Sequence, residues 1–228
     1  GHLFVIEGEM GVGKTRLAKE VVDRVRSQRV TVLQLRCYEG ESNVAYGPII
    51  ECLRTIATQP DLVEALESTE GHIKSELVRL VPDFVSFWTG LPDIRSLSEP
   101  GAQSHLLESV SNALVEVAGG RGLIFVDDLQ WIDAASLDVL SYLVRRLQGR
   151  PVFVLGTWRT EDVPVDHRLR GLLTGSQRSG MATSLSLRRL TSQNVSEILD
   201  VVPGAGRSGV DVYAETEGLP LFVVEYLK

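Results

Sequence analysis

The sequence predicts an α/β fold in which a parallel sheet carries helices on both faces. Three observations predict it. Apolar runs of strand type alternate along the chain with stretches whose apolar residues recur at helical spacing. One run, Leu123-Ile124-Phe125-Val126, is continuous rather than alternating, as suits a strand covered on both sides. The glycine-rich turn Gly8-Glu9-Met10-Gly11-Val12-Gly13-Lys14-Thr15 stands between a strand-like run and a helix-like one.

Taken in order, Leu3-Phe4-Val5-Ile6 is the first strand, and Leu17, Val21, Val22 and Val25 mark the helix after the turn. Val30-Thr31-Val32-Leu33-Gln34-Leu35 is β-branched and apolar, a second strand. A polar loop from Arg36 to Ser42 leads to Tyr46-Gly47-Pro48, where Pro48 suits a first helical turn and Ile49, Ile50, Leu53 and Ile56 supply the apolar face. Leu62, Val63 and Leu66 suggest one short helix, and Ile73, Leu77, Leu80 and Val81 another. Pro82, Gly90, Pro92 and Pro100 then break the chain, so residues 47–102 read as a helical insertion ending in an irregular loop. Leu107, Val110, Leu114 and Val117 form one stripe, stopped by Gly119-Gly120.

The third strand ends in Asp127-Asp128, and Asp133 caps the next helix, with Leu137, Leu140, Val144 and Leu147 inside. Val152 to Thr157 is a fourth strand, leading into Trp158-Arg159; a helix near 167–175 and a fifth strand over Ser184–Leu187 follow. Thr191 caps a helix carrying Val195, Ile198 and Leu199, and the chain closes with Gly218-Leu219-Pro220 and an apolar helix through Tyr226. Residues 1–190 are thus expected to form the core, and 191–228 the start of a truncated helical subdomain.

Composition bounds the partners. The 228 residues, 43% hydrophobic and 23% charged, suit one large domain or one with a small appendage. A formal net charge of −7 argues against this segment gripping nucleic acid, which needs a basic surface. Cys37 and Cys52 form no C-x-x-C pair and read as buried thiols. No apolar run approaches the roughly 18 residues of a membrane span, and no signal pattern opens the chain, so the expected location is cytoplasmic. A strand starting at residue 3 and a helix running to the last residues give the look of an excerpt from a longer protein.

The turn at Gly8–Thr15 has the G-x-x-x-x-G-K-T pattern of a phosphate-binding P-loop. A triphosphate is densely anionic, and the first turn of a helix offers unpaired N–H groups with a partial positive charge. Gly8, Gly11 and Gly13 can fold successive N–H groups into a nest with no Cβ in the way. Lys14 can reach the β- and γ-phosphates, and the Thr15 hydroxyl suits Mg²⁺. Ligands of such sheets bind at the carboxyl ends of the strands. Asp127 is the natural metal partner of Thr15, and Asp128 is placed to orient or deprotonate the attacking water. Asp128 is one methylene shorter than a glutamate there, which implies slow hydrolysis. Arg159, beyond the fourth strand, can sense the γ-phosphate; Arg36, beyond the second, has the same placement with less support. Gly218-Leu219-Pro220 alone reads as a plain helix-start turn, and His2, His72, His105 and His167 lack ligand spacing.

These motifs together resemble the nucleotide-binding domain of STAND-type ATPases. They are Gly8–Thr15 with Arg16-Leu17, Arg36-Cys37-Tyr38-Glu39-Gly40-Glu41 with Tyr46-Gly47-Pro48, Val126-Asp127-Asp128-Leu129-Gln130-Trp131-Ile132-Asp133, Leu155-Gly156-Thr157-Trp158-Arg159, and Glu217-Gly218-Leu219-Pro220-Leu221-Phe222-Val223-Val224-Glu225. The nearest flavour is the bacterial AAA-like module of large LuxR-type regulators and related signalling proteins. The resemblance implies a three-layer P-loop fold of the ASCE division with strand order 5-1-4-3-2. It also implies Asp127 as the Walker B metal residue, Asp128 as the catalytic acid, Arg159 as a sensor arginine, and Pro220 against the adenine or ribose. The nucleotide-binding set is then Gly8, Glu9, Met10, Gly11, Val12, Gly13, Lys14, Thr15, Arg16 and Pro220; the catalytic set is Asp128, Lys14 and Arg159; the metal set is Thr15 and Asp127.

Members of that class act as switches: ADP holds a closed form, and an inducer with ATP opens it toward oligomerisation. The expected ligands are therefore ATP or ADP with Mg²⁺, with protein partners or self-association in the full-length protein. The segment that precedes the P-loop in the class, and the winged-helix, repeat and output regions beyond it, are not in this sequence. Two rivals stand beside a slow signalling ATPase: a scaffold that binds ATP or ADP without significant turnover, and a small-molecule kinase. The segment around Trp131 and the closing G-x-P argue against the kinase.

Overall fold

A computed structural model of the chain describes residues 1–93, 96, 98–202 and 208–227. Residues 94, 95 and 97, inside the stretch expected to be irregular, lie outside the described residues, as do 203–207 and 228.

Among the described residues five strands, β1 (His2–Glu7), β2 (Thr31–Arg36), β3 (Gly122–Asp127), β4 (Val152–Trp158) and β5 (Ala182–Ser186), pair in the order β2-β3-β4-β1-β5. This is the expected 5-1-4-3-2 order read from the other edge. Every pairing is parallel, with Val5 opposite Gly156, Val126 also opposite Gly156, and Arg36 opposite Asp127. The helices are α1 (Lys14–Ser27), α2 (Gly47–Ala57), α3 (Pro60–Glu64), α4 (Gly71–Leu80), α5 (Ala102–Ala118), α6 (Ala134–Arg146), α7 (Arg168–Arg178), α8 (Ser192–Asp200), α9 (Gly209–Thr216) and α10 (Pro220–Tyr226). Short 3-10 turns cover Pro82–Ser86 and Leu129–Trp131.

Side-chain alternation divides the core between the two faces of the sheet. Val5, Ile124, Val126 and Val154 point to the side covered by α2, α5 and α6, where they join Leu53, Leu77, Phe84 and Leu114. Ile6, Phe125 and Leu155 point to the other side, where Ala18 and Val22 of α1 cover them. β3 has apolar neighbours on both faces, which is why its sequence is continuously apolar. The last three helices have an apolar cluster of their own, Val195, Leu199, Val212 and Val223.

Several boundaries differ from expectation. β5 starts two residues earlier, at Ala182, because its register with β1 pairs Leu3 with Ala182. In α5 the buried leucine of the first turns is Leu106 rather than Leu107, and burial starts at Ala102. β3 ends at Asp127, and Asp128 lies outside the strand in a left-handed conformation, φ 58°. Helix α9 was not expected; over eight residues it buries only Val212 and Thr216, too few to leave a periodic signature. Asp133 does cap α6, its Oδ1 accepting the Ser136 N–H at 2.9 Å, and Thr191 caps α8 through a capping box with Asn194.

Candidate functional site

The carboxyl ends of β1, β3 and β4 meet the start of α1 at a cleft of about 630 Å³. Gly11, Gly13, Lys14, Thr15, Arg16, Asp128, Arg159, Pro220, Leu221 and Val224 line it. In the loop, Gly8, Gly11 and Gly13 have φ of 152°, 80° and 102°. A Cβ on Gly13 would meet nothing, so the backbone angle and not space demands glycine there. Helix α1 opens directly after it, with the first-turn N–H groups turned into the cleft end of the helix.

Lys14 is buried, and its Nζ donates to the carbonyl oxygens of Gly8 (2.7 Å) and Glu9 (2.8 Å). Burial pushes its pKa below the usual lysine range, and the Arg159 charge adds to this. The Glu161, Asp128 and Asp162 carboxylates act the other way. A phosphate anion would relieve the same desolvation, which is the physical sense of a lysine kept in a small cradle.

Thr15 Oγ1 lies 3.3 Å from Asp127 Oδ1, so a hydroxyl and a carboxylate share one spot beside the phosphate loop. Two hard oxygens at that spacing can hold Mg²⁺ together with phosphate oxygens and water. Among the described residues no group of three or more His, Cys, Asp or Glu side chains is arranged to hold a metal alone. The four histidines stay apart: His2 bonds Thr183, His72 pairs with Glu70, and His167 Nδ1 caps α7.

The carboxylates are oriented by residues that the sequence did not single out. Thr157, wholly buried on β4, donates to Asp127 Oδ1 at 2.6 Å and accepts the Asp128 N–H at 2.9 Å. Gln130, also buried, donates to Asp128 Oδ1 at 2.8 Å and accepts the Arg159 N–H at 3.0 Å. The left-handed Asp128 backbone and these bonds aim its carboxylate into the cleft. Arg159 reaches the cleft as expected, with Nη1 3.4 Å from Asp162 Oδ2.

Not every expected residue faces the cleft. Glu9 turns away to Arg189, whose Nε and Nη2 donate to its two oxygens at 2.6 and 2.8 Å. The side chain of Met10 is exposed, that of Val12 is buried under the loop, and Arg16 pairs with Glu20 at 2.6 Å while edging the cleft. For Glu9, Met10 and Val12 only the backbone is in play, as the nest requires. Arg36 is exposed at the end of β2 and lines no part of the cleft; β2 is the edge strand, one position beyond β3.

Pro220 closes the cleft from the C-terminal side. Leu221 N–H donates to Gly11 O at 3.1 Å, joining α10 directly to the phosphate loop. Arg189 adds a second link, its Nη1 donating to Glu217 at 2.6 Å while the rest of the guanidinium holds Glu9. Gly218, φ 70°, sits so close to Leu190 O that no side chain fits. Thr157, Gln130, Arg189, Glu161 and Asp162 were all missed from sequence. Only the polar residue at the end of an otherwise apolar β4 was a signal that could have pointed to Thr157.

The chain is similar to several known proteins. A solved ATP-binding subunit of an ABC transporter is similar over 95% of this chain and 88% of that one, at 13% identity and a TM-score of 0.37. A protein of Rhizobium meliloti (strain 1021), itself uncharacterized, is 25% identical over 174 residues, which are 70% of this chain. The matched stretch spans only 16% of that relative's length. The family described as AAA ATPase domain matches residues 1–155, from β1 through the phosphate loop and the Asp127-Asp128 turn into β4. With its phosphate loop, its first three strands and its paired aspartates inside that match, the chain belongs to the AAA ATPase domain family.

Proposed function

We propose that this chain is the nucleotide-switch module of a larger, STAND-type regulator of signalling or transcription, binding ATP or ADP with Mg²⁺ and hydrolysing ATP slowly. The observation that carries the reading is the direct hydrogen bond from Leu221 N–H to Gly11 O. A loop that tightens on a phosphate must move that carbonyl, and α8–α10, which share a separate apolar cluster, move with it. Nucleotide state is thereby converted into the position of a C-terminal helical unit.

The chain's own residues divide the chemistry. The loop N–H groups and the start of α1 bind the phosphates, and Lys14 exchanges its two carbonyl partners for phosphate oxygen. Thr15 and Asp127 would hold Mg²⁺, which would supply positive charge to offset that of the phosphates. Asp128, steered by Gln130, orients a water and accepts its proton, and Arg159 stabilises charge on the transferring group. Residues 1–190 act as the core, with 191–228 as the moving unit.

A second reading, a scaffold that binds without turnover, draws on the same contacts. The Asp128 carboxylate is already engaged by an amide, and Arg159 by a carboxylate. Single-turnover hydrolysis of labelled ATP with Mg²⁺ separates the two. Slow cleavage that Asp128→Asn removes, with nucleotide still bound, supports the ATPase switch. Cleavage at equal rate in that variant would assign the water to another group, and none in either protein would favour the scaffold. Loss of ATP binding in Lys14→Ala is the matching check on the cleft itself.

A further inference from the structure

The segment joining β4 to α7 brings two acids to the phosphate loop. Glu161 Oε1 accepts the Met10 backbone N–H at 3.0 Å. Asp162 Oδ2 stands 3.4 Å from Arg159 Nη1. The segment is anchored from behind: Arg170 Nε and Nη2 donate to Val163 O at 3.1 and 2.7 Å, and Nε also to Pro164 O at 3.0 Å. The Arg170 guanidinium lies over the Trp158 ring at 5.2 Å, and the Val163 side chain is buried. The two carboxylates are therefore carried on a fixed support. Each holds a group of the kind that binds a terminal phosphate, a loop amide in one case and an arginine in the other.

We propose that Glu161 and Asp162 set the preference of this site for a nucleoside diphosphate over a triphosphate; the inference rests on the cleft being a nucleotide site. The α- and β-phosphates of either nucleotide take the glycine nest and the start of α1. Only the γ-phosphate adds negative charge at the β4 end, where these two acids stand. It must displace Glu161 from Met10 and Asp162 from Arg159, or bear their repulsion. A diphosphate stops short of both. Lys14, which senses the Glu161 and Asp162 charges, is the shared counter-charge for which acids and phosphate compete. Across a half-hydrated gap of several ångströms, one unit charge corresponds to about a three- to tenfold change in affinity for the added phosphate.

The test is equilibrium titration of the whole chain with MgADP and with Mg²⁺ and the non-hydrolysable β,γ-imido analogue of ATP. The proteins are wild type, Glu161→Gln, Asp162→Asn and the double variant. Both positions are exposed and both replacements keep the side-chain shape, so folding is preserved and is checked by thermal melting. ADP affinity is expected to stay within about twofold, while the analogue tightens about three- to tenfold in each single variant and further in the double. Equal shifts for the two nucleotides, no shift, or weaker binding of the analogue would overturn this inference and leave the nucleotide site standing. A wild-type chain that binds neither nucleotide would overturn both.

Discussion

Thr157→Val removes one hydroxyl from a wholly buried position and keeps the side-chain shape. The hydroxyl donates to Asp127 at 2.6 Å and accepts the Asp128 N–H at 2.9 Å. Losing a hydrogen bond to a charged group costs about 1.5–3 kcal/mol, and an N–H left without an acceptor about 1–3 kcal/mol. Both aspartates are half-exposed, so water replaces part of this, and a net loss of about 2–3 kcal/mol is expected. For a chain of this size that lowers the melting temperature by roughly 5–10 °C. The larger effect is on the metal, because a ligand carboxylate without its orienting donor typically loses about 10- to 100-fold in metal affinity. The assay is the Mg²⁺ concentration needed for half-maximal nucleotide binding, measured beside thermal melting. Thr157→Ser, which keeps the hydroxyl, should restore the Mg²⁺ dependence while losing only the packing of one methyl. If Thr157→Val melted early yet kept its Mg²⁺ midpoint within about twofold, the hydroxyl would support the turn without serving the metal, and the reasoning would fail.

Three further outcomes are expected. Gly218→Ala places a Cβ against Leu190 O at φ 70°, so α10 should lift from Gly11, lowering ADP affinity together with stability; an unchanged ADP titration would detach α10 from the site. Burial raises the Cys52 thiol to about 12, and burial beside Asp133, Asp128 and Asp127 raises Cys37 still further, so neither should react with Ellman's reagent at pH 8 until the chain is unfolded. The hydrogen bond from Arg189 holds the Glu9 carboxyl below its ordinary value. A carboxyl lowered by folding stabilises the fold above its unfolded value, about 4.3, and that contribution fades as pH falls through the folded one. The Leu221 amide resonance should therefore titrate in that acidic window and stop doing so in Glu9→Gln; a pH-independent resonance in the wild type would uncouple the Arg189 link from α10.

Much of this molecule was legible before its structure. The β-branched and continuous apolar runs, the glycine turn and the helix caps at Asp133 and Thr191 are local signals, set by neighbours within a few residues. They sufficed for a parallel sheet with the phosphate loop at its carboxyl edge. β5 was placed late because Thr183, Leu185 and Ser186 are exposed, which leaves no clean apolar alternation, and because its register depends on β1.

The sequence by itself determined which backbone could cradle phosphates: three glycines before Lys14-Thr15 permit the positive φ that folds the nest. It also determined that two carboxylates would stand at the end of a buried strand. Tertiary structure alone decided how those groups are held. Thr157 meets Asp127 across 30 residues, Glu161 meets Met10 across 151, and Arg189 meets Glu9 across 180. A hydrogen bond needs its partners within about 3 Å and aligned, a condition that only the packed sheet and its crossovers satisfy. Residue type can nominate a donor, but the fold chooses its acceptor.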